Sequence, residues 1–209
     1  MIVLAGTIGA GKTSLTDLIS GKYNSKAYYE SVEGNPILPL FYENPNKYGF
    51  LLQIYFMNWR MDQIKKAQAN KLDVIDRSIY EDALLFQLNA DLDRSTQTEV
   101  DIYKSLLDNM MEKIDSIPSK DPDLLIHIKV SLDTMLKRIN KRGREYELDP
   151  NLYDYYKNLN DRYENFYKQY DRSPKLEING DEFDFVEDEN AAQIVMEQID
   201  NKLKEIGVL

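Results

Sequence analysis

The chain has 209 residues, of which 43% are apolar, and it carries a net charge of −10. This length suits one α/β domain over residues 1–209, the acidic charge disfavours nucleic-acid partners, and the absence of cysteine excludes disulfide bonds and cysteine-based zinc sites. Because an apolar run begins at residue 2 and no run is long enough to cross a bilayer, we expect no signal peptide, no membrane partner and a cytoplasmic location.

The chain opens with the apolar run IVLA at 2–5, then GTIGAGKTS at 6–14 and a helix-compatible stretch. This order of strand, glycine-rich loop, Gly-Lys-Thr and helix predicts a phosphate-binding P-loop rather than a glycine turn without a ligand. Backbone amides and the helix N-terminus would hold the phosphates, the lysine would neutralise them, and the threonine hydroxyl would reach Mg²⁺. The predicted loop residues are Gly6, Thr7, Ile8, Gly9, Ala10, Gly11, Lys12, Thr13 and Ser14.

Four further strand-like runs alternate with helical patterns, and they lie near residues 26–30, 72–76, 124–130 and 176–179. Alternating strands and helices predict an α/β fold with a parallel sheet that carries helices on both faces. Such sheets bind ligands beyond the carboxyl ends of their strands. The residues that follow each strand are therefore the candidate site residues.

Charged side chains follow the second and third predicted strands. A carboxylate at Glu30 could orient a hydroxyl nucleophile and accept its proton, but Glu33 competes for this role, and a solvated loop charge is an equal alternative. Asp76 stands where a P-loop protein carries its second metal-coordinating carboxylate, and Arg77 could reach a transferring phosphate. The alternative for Asp76 and Arg77 is a surface ion pair.

The helical segments carry weaker signals. Gln53 and Arg60 share a face of a helix predicted near 46–66, and Asp82 and Phe86 lie four residues apart on the next one. Each pattern puts polar groups beside an aromatic ring, which suits a flat heterocycle, although such spacing also arises by chance.

Three features of the second half of the chain have structural interpretations. A tyrosine-rich stripe on a helix over about 151–170 predicts core packing, with Asp149 as a plausible cap at the start of that helix. His127, the only histidine, lies in an apolar strand and is expected to be a hydrogen-bonded structural residue. A helix is also expected from residue 190.

A basic cluster at 137–145 stands out in this acidic chain. Arg138 and Arg142 are four residues apart on one helix face, and Arg144 follows Gly143. A solvated basic face is the ordinary interpretation of such a cluster. Arginines also stabilise the charge of phosphoryl transfer, and a hinge glycine suits a mobile lid, which we expect at about 138–148.

These motifs together resemble the bacterial deoxynucleoside kinases, specifically the deoxyadenosine/deoxyguanosine kinase branch, almost from end to end. The matching segments are GTIGAGKTS, YYESV, LFYENPNKYGFLLQIYF, DRSIYEDALLFQLNAD, SLDTMLKRINKRGRE and INGDEFDF. The resemblance implies a P-loop NTPase-type five-stranded parallel sheet, an arginine lid, a homodimer, and ATP and Mg²⁺ as cofactors. It implies transfer of the γ-phosphate to the 5′-hydroxyl of a deoxynucleoside.

The resemblance also assigns roles to the reacting end of the site. It implies that Glu30, and not Glu33, is the general base, that Arg77 holds Glu30 and the reacting oxygen, and that Asp76 is the metal-linked acid. The implied lid residues are Arg138, Arg142 and Arg144, and the implied loop around the ATP adenine contains Asp181, Phe183 and Phe185.

The remaining implied roles concern the acceptor. The sugar 3′-hydroxyl would be bound by Tyr42 and Glu147, and the base would be read by Gln53, stacked on Phe86, and selected by Arg60 with Asp82. A carboxylate accepts a hydrogen bond from an exocyclic amine and repels a thymine carbonyl. We therefore expect purine deoxynucleosides as substrates, with deoxycytidine possible and thymidine poor.

Two other functions remain alternatives. A nucleoside monophosphate kinase would need cations around the acceptor phosphate, and Glu30, Tyr42 and Glu147 suit hydroxyl groups better. A nucleotide-dependent switch is disfavoured because the third strand ends in Asp-Arg-Ser, without the Asp-x-x-Gly of GTPases, and the chain has no Asn-Lys-x-Asp.

Overall fold

The computed structural model describes residues 1–29, 34–112, 119–144, 147–149 and 152–209. Within these ranges, five strands form one sheet in the order β2-β3-β1-β4-β5, and every neighbouring pair is parallel. The strands are β1 (Ile2–Gly6), β2 (Ala27–Tyr28), β3 (Val74–Ile75), β4 (Leu124–Lys129) and β5 (Lys175–Asn179). The sheet confirms the predicted fold class.

Helices connect the strands, as the alternation of patterns predicts. Among the described residues they are α1 (Lys12–Tyr23), α2 (Leu38–Glu43), α3 (Pro45–Ala67), α4 (Ile79–Asp91), α5 (Gln97–Met111), α6 (Leu132–Arg142), α7 (Tyr153–Gln169) and α8 (Glu189–Glu205). Both α4 and α5 begin with capping boxes, at Ser78 and Thr96, which satisfy amides of the first turn. None of the helices in this part of the chain is long and apolar enough to span a membrane.

The core has two layers because β1 alternates its side chains between the sheet's faces. Ile2 and Leu4 belong to a buried cluster that includes Ile199 of α8, whereas Val3 belongs to a second cluster that includes Met57 of α3. Apolar strand residues on both faces require cover on both faces. The prediction of helices on both sides of the sheet is therefore confirmed.

Two expectations about the second half of the chain have different outcomes. The prediction that Asp149 is the N-cap of the helix over about 151–170 is wrong, since α7 begins at Tyr153 with Leu152 as its N-cap. Asp149 instead lies in a backbone turn, where its carbonyl accepts from the amide of Leu152. His127 is structural, as expected, because its Nδ1 lies 3.3 Å from an oxygen of Glu177 and its ring stacks on Tyr167.

Candidate functional site

The P-loop, residues 6–14, connects β1 to α1 and has glycine where other residues would not fit. Gly6 has a φ of 153°, and a Cβ there would lie 2.8 Å from the carbonyl oxygen of Ile128 on β4. Gly11 has a φ of 99° and is the N-cap of α1, so it turns the chain into the helix. Amides at this helix N-terminus form a site that favours phosphate.

The polar side chains of the P-loop have defined partners. Lys12 donates from Nζ to the carbonyl oxygens of Gly6, at 2.6 Å, and Thr7, at 3.0 Å. The hydroxyl of Thr13 donates to a carboxylate oxygen of Asp76 at 2.8 Å, which joins the start of α1 to the end of β3.

The donor set of Thr13 and Asp76 fits Mg²⁺, which prefers hard oxygen ligands and keeps several non-protein ones. No group of three or more His, Asp or Glu residues that could hold a metal occurs among the residues described. Phosphate oxygens and water can complete the coordination of a metal ion at this place.

A buried carboxylate that sequence reasoning missed supports the P-loop from below. Glu81 of α4 accepts from the amides of Gly6, at 3.2 Å, and Ser78, at 2.7 Å. Burial raises the pKa of Glu81, while the cations Lys12 and Arg77 act to lower it. The Ser-x-x-Glu pattern of a capping box could have indicated the contact with Ser78, but nothing local indicates the contact with Gly6.

A cavity of about 1070 Å³ opens above the P-loop and extends between α3, α4 and α6. Its volume exceeds that of a typical small-molecule site, so two ligands can share it. Many of the predicted site residues line it together with the P-loop: Tyr42, Gln53, Asp76, Arg77, Asp82, Arg138, Arg142, Arg144, Glu147 and Asp181.

Five predicted residues are placed differently or are not described. Arg60 is completely buried, and its Nε lies 3.4 Å from a carboxylate oxygen of Asp82, so it stands behind the cavity wall. Phe86 is also completely buried and packs against Phe50 and Tyr103. The ring of Phe185 packs beneath Gly11, and neither it nor Phe183 lines the cavity. Glu30 lies outside the described residues.

The basic cluster faces the cavity at the C-terminal end of α6. Arg142 donates to one carboxylate oxygen of Glu147 at 2.5 and 3.1 Å, and Arg144 lies 3.6 Å from the other oxygen. Arg138 instead donates to the carbonyl oxygens of Ala10 and Gly180, so it ties the P-loop to the segment after β5. These arginines are therefore placed by specific contacts and do not form a merely solvated face.

The cavity also has lining residues that the sequence did not indicate. Arg94 and Tyr155 line the wall near Arg77, and both arginines act to lower the pKa of Tyr155, which burial raises. Arg94 follows a left-handed turn at Asp93, with a φ of 56°, that ends α4. Turn geometry of this kind has no signal in the spacing of the residues.

Comparison with known proteins adds a family to this geometry. The chain matches the family model described as deoxynucleoside kinase over residues 2–204. It is 57% identical over 210 residues to a deoxyguanosine kinase of Lactobacillus johnsonii, covering 99% of this chain and 94% of the relative. It is 53% identical over 212 residues to a deoxyadenosine kinase of Lactobacillus acidophilus, covering 100% and 99%.

Solved structures show a similar fold. A deoxyadenosine kinase of M. mycoides with bound dATP superposes with a TM-score of 0.77 at 31% identity, covering 95% of this chain and 98% of that one. The same enzyme with bound dCTP gives a TM-score of 0.76 at 30% identity, with coverage of 96% and 100%.

Proposed function

The chain belongs to the deoxynucleoside kinase family, and from this premise we propose that it transfers the γ-phosphate of ATP to the 5′-hydroxyl of a purine deoxynucleoside. The observation that carries the proposal is the shared cavity, because one space contains the P-loop, Gln53 and Asp82. A phosphate donor and a flat acceptor with polar edges can therefore meet in it. The relatives named as deoxyguanosine and deoxyadenosine kinases support a purine acceptor.

The donor would be held by the P-loop, whose amides and α1 N-terminus favour the phosphates of ATP. Lys12 would exchange its contacts with loop carbonyls for the β- and γ-phosphate oxygens. Thr13 and Asp76 would hold Mg²⁺, which supplies charge neutralisation at the transferring phosphate when it is bound.

The acceptor hydroxyl would be activated by Glu30. It follows β2 by two residues, and Arg77 follows β3 by two residues, and β2 and β3 are neighbours in the sheet. Glu30 would accept the proton of the 5′-hydroxyl as the oxygen attacks the γ-phosphorus, and the bond from that phosphorus to the bridging oxygen would break to release ADP. Arg77 would hold the carboxylate and the reacting oxygen. Positioning and charge stabilisation then carry the reaction, with no covalent enzyme intermediate.

The base and the sugar would be recognised at the far end of the cavity. The amide of Gln53 can donate and accept along a purine edge. Asp82, backed by the buried cation of Arg60, would accept from an exocyclic amine and repel a thymine carbonyl. Tyr42 and Glu147 would bind the 3′-hydroxyl, and Phe86 would support the base from within the core.

Three further features belong to the proposal. Residues at about 138–148 would form a lid, with Arg138 anchoring its base and Arg142 and Arg144 reaching the phosphates. The segment around the ATP adenine would be supported by Asp181, Phe183 and Phe185.

The protein would act as a homodimer in the cytoplasm, without nucleic-acid partners. Exposed Ile102 and Leu106, one turn apart on α5, give apolar surface for a subunit contact.

The test compares two carboxylates that lie three residues apart. Glu30→Gln should reduce kcat by about 10²–10⁴ because it removes the proton acceptor, whereas Glu33→Gln should leave kcat within about threefold. Near-normal turnover by Glu30→Gln would contradict the assignment of the base. The acceptors are deoxyadenosine, deoxyguanosine, deoxycytidine, thymidine and dAMP, each with ATP and Mg²⁺. A preference for thymidine would contradict the role of Asp82, and a preference for dAMP would indicate a monophosphate kinase.

A further inference from the structure

Gln63 is a buried polar residue that does not line the cavity and yet contacts the elements around it. It lies on α3, one turn after Arg60, and is 5% exposed. Its amide nitrogen donates to the carbonyl oxygen of Tyr29 at 2.9 Å, and its amide oxygen accepts from Nη1 of Arg60 at 3.2 Å. Because a guanidinium only donates and a carbonyl only accepts, these partners fix the orientation of the amide.

These contacts continue to the cavity wall. Arg60 is completely buried, and its Nε lies 3.4 Å from the carboxylate of Asp82, which lines the cavity. These polar contacts form one continuous series, which is buried from Asp82 through Arg60 to Gln63 and partly buried at the carbonyl of Tyr29. Contacts to charged groups in a buried setting are stronger than neutral ones in water, so this series of contacts resists distortion.

This series of contacts ends at the carbonyl group of Tyr29, in the peptide bond before the proposed general base. Tyr29 directly precedes Glu30 in the sequence, so Gln63 holds the backbone of the last described residue before the proposed general base. The other side of Tyr29 is also held, because its hydroxyl donates to Asp17. Gln63 provides the inner contact of this residue.

We propose that Gln63 is a positioning residue that couples recognition of the base at Asp82 to the placement of Glu30. The proposal rests on the proposed function. A base that pairs with Asp82 keeps Arg60 in its position, and Gln63 passes this constraint on to the backbone at Tyr29. A base that repels Asp82 disturbs the same series of contacts. Selection among bases should then appear in kcat as well as in KM, because misplacement of a reacting group slows the chemical step.

The experiment uses two variants of Gln63 and a matched control. Gln63→Glu keeps an acceptor for Arg60 and replaces the donor to Tyr29 with a carboxylate oxygen. Gln63→Met removes both contacts at similar volume. The control is Gln68→Glu, which makes the same chemical change at the end of α3, where Gln68 donates to the carbonyl of Ser119 at 2.7 Å. The values of kcat and KM are measured separately for the four deoxynucleosides, with saturating ATP.

In both Gln63 variants, kcat for the best acceptor should fall about tenfold or more, while its KM changes less than about threefold. The ratio of kcat between the best and the worst acceptor should fall towards one, and Gln68→Glu should retain the ratio of the unmodified chain. This ratio is independent of the fraction of folded enzyme, so partial unfolding of a variant does not affect it. Neither Gln63 variant is expected to restore the ratio, because both lack the donor to Tyr29.

An unchanged ratio in the Gln63 variants, or an equal loss in Gln68→Glu, would overturn the coupling. Failure of the proposed function has a different result, since the unmodified chain would then phosphorylate none of the four deoxynucleosides. A loss confined to KM would make Gln63 a support for the base site alone and would also overturn the proposal.

Discussion

The two halves of the cavity are built in different ways. The donor half consists of the P-loop with Asp76, so all of it except Asp76 comes from one continuous segment that offers backbone amides and a few side chains. The acceptor half consists of Gln53, Arg60, Asp82 and Glu147, whose side chains come from α3, α4 and the segment after α6. In the donor half Lys12 and Thr13 are accessible, whereas Arg60 and Asp82 are almost completely buried.

In the donor half, the side chains proposed to bind the ligand are not the ones that stabilise the fold. In the acceptor half, the same side chains do both. A change in an accessible P-loop side chain would remove the proposed contacts with ATP and leave the core intact. A change in the acceptor half also removes a polar group that satisfies a buried partner, and unsatisfied buried charge is costly. We therefore expect donor-half variants to lose activity and acceptor-half variants to lose activity together with stability.

The largest expected effect tests the acceptor half. Asp82→Ala should lower the free energy of unfolding by about 3–5 kcal/mol, because it removes a carboxylate next to the buried guanidinium of Arg60. The control on the same helix is Asp91→Ala, which removes a partly exposed pair with Arg162 and should cost less than about 1 kcal/mol. Urea titrations of the two variants give the comparison. Equal losses would show that burial does not distinguish the two pairs.

The next effect tests the donor half. Lys12→Ala should lower kcat by about 10²–10³, because the charge that stabilises the transferring phosphate is lost, while the midpoint of urea unfolding changes little. Lys22→Ala, which removes an exposed pair with Asp200 at the other end of α1, should leave kcat within about twofold. A large loss of stability in Lys12→Ala would contradict the separation of activity from folding, since it would make the contacts with Gly6 and Thr7 essential to the core.

A smaller effect is expected at Glu147, a buried residue of the acceptor half whose arginine partners are partly exposed. Glu147→Gln should raise KM for the deoxynucleoside about tenfold, because the charged acceptor proposed for the 3′-hydroxyl is lost. It should cost less than about 1 kcal/mol of stability, since Arg142 and Arg144 are 35% and 52% exposed and can be solvated. Glu187→Gln, which removes the surface pair with Lys141, is the control for both measurements. A loss as large as that of Asp82→Ala would extend the buried acceptor half to its rim.

The same difference explains what the sequence could and could not predict. The parallel sheet follows from the alternation of strands and helices, and the structure confirms it. The placement of Asp76 beside Thr13 is consistent with strand ends that share one edge of that sheet. The contact of Glu81 with Gly6 spans 75 residues, and Arg94 reaches the cavity through a left-handed turn. Both depend on how α4 packs and ends, which residue spacing does not encode.

The acceptor half shows the limit of position-based reasoning more sharply. Spacing places Arg60 and Asp82 on the inner faces of two helices, but only packing decides that Arg60 stands behind Asp82 and not in the cavity. Packing likewise buries Phe86 among Phe50 and Tyr103. The resemblance to the family indicated these residues because the family's motifs reflect how its members pack. The spacing of residues within a single helix does not contain this information.

The smallest expected effect concerns His127, which lies outside both halves of the cavity. It determines how the free energy of unfolding depends on pH. Burial lowers the pKa of His127 below its ordinary value of 6.5, Glu177 opposes this shift, and Lys129 and Lys12 add to it. The folded state therefore binds fewer protons than the unfolded state just below pH 6.5, and the free energy of unfolding should fall as the pH drops through this value towards the folded pKa. Urea titrations between about pH 7.5 and 5.5 measure this slope.

Two variants test whether His127 is the source of this slope. His127→Gln should flatten it, because the group that the unfolded state protonates is gone, and Glu177→Gln should steepen it, because the carboxylate that favours the protonated ring is lost. Since His127 is the only histidine, its ring signals in a proton NMR titration report its pKa directly. A slope that His127→Gln leaves unchanged would contradict this assignment. Buried Glu81 could not replace His127 as the source, because a carboxyl group whose pKa is raised by burial stabilises the folded state as the pH falls, which is the opposite slope.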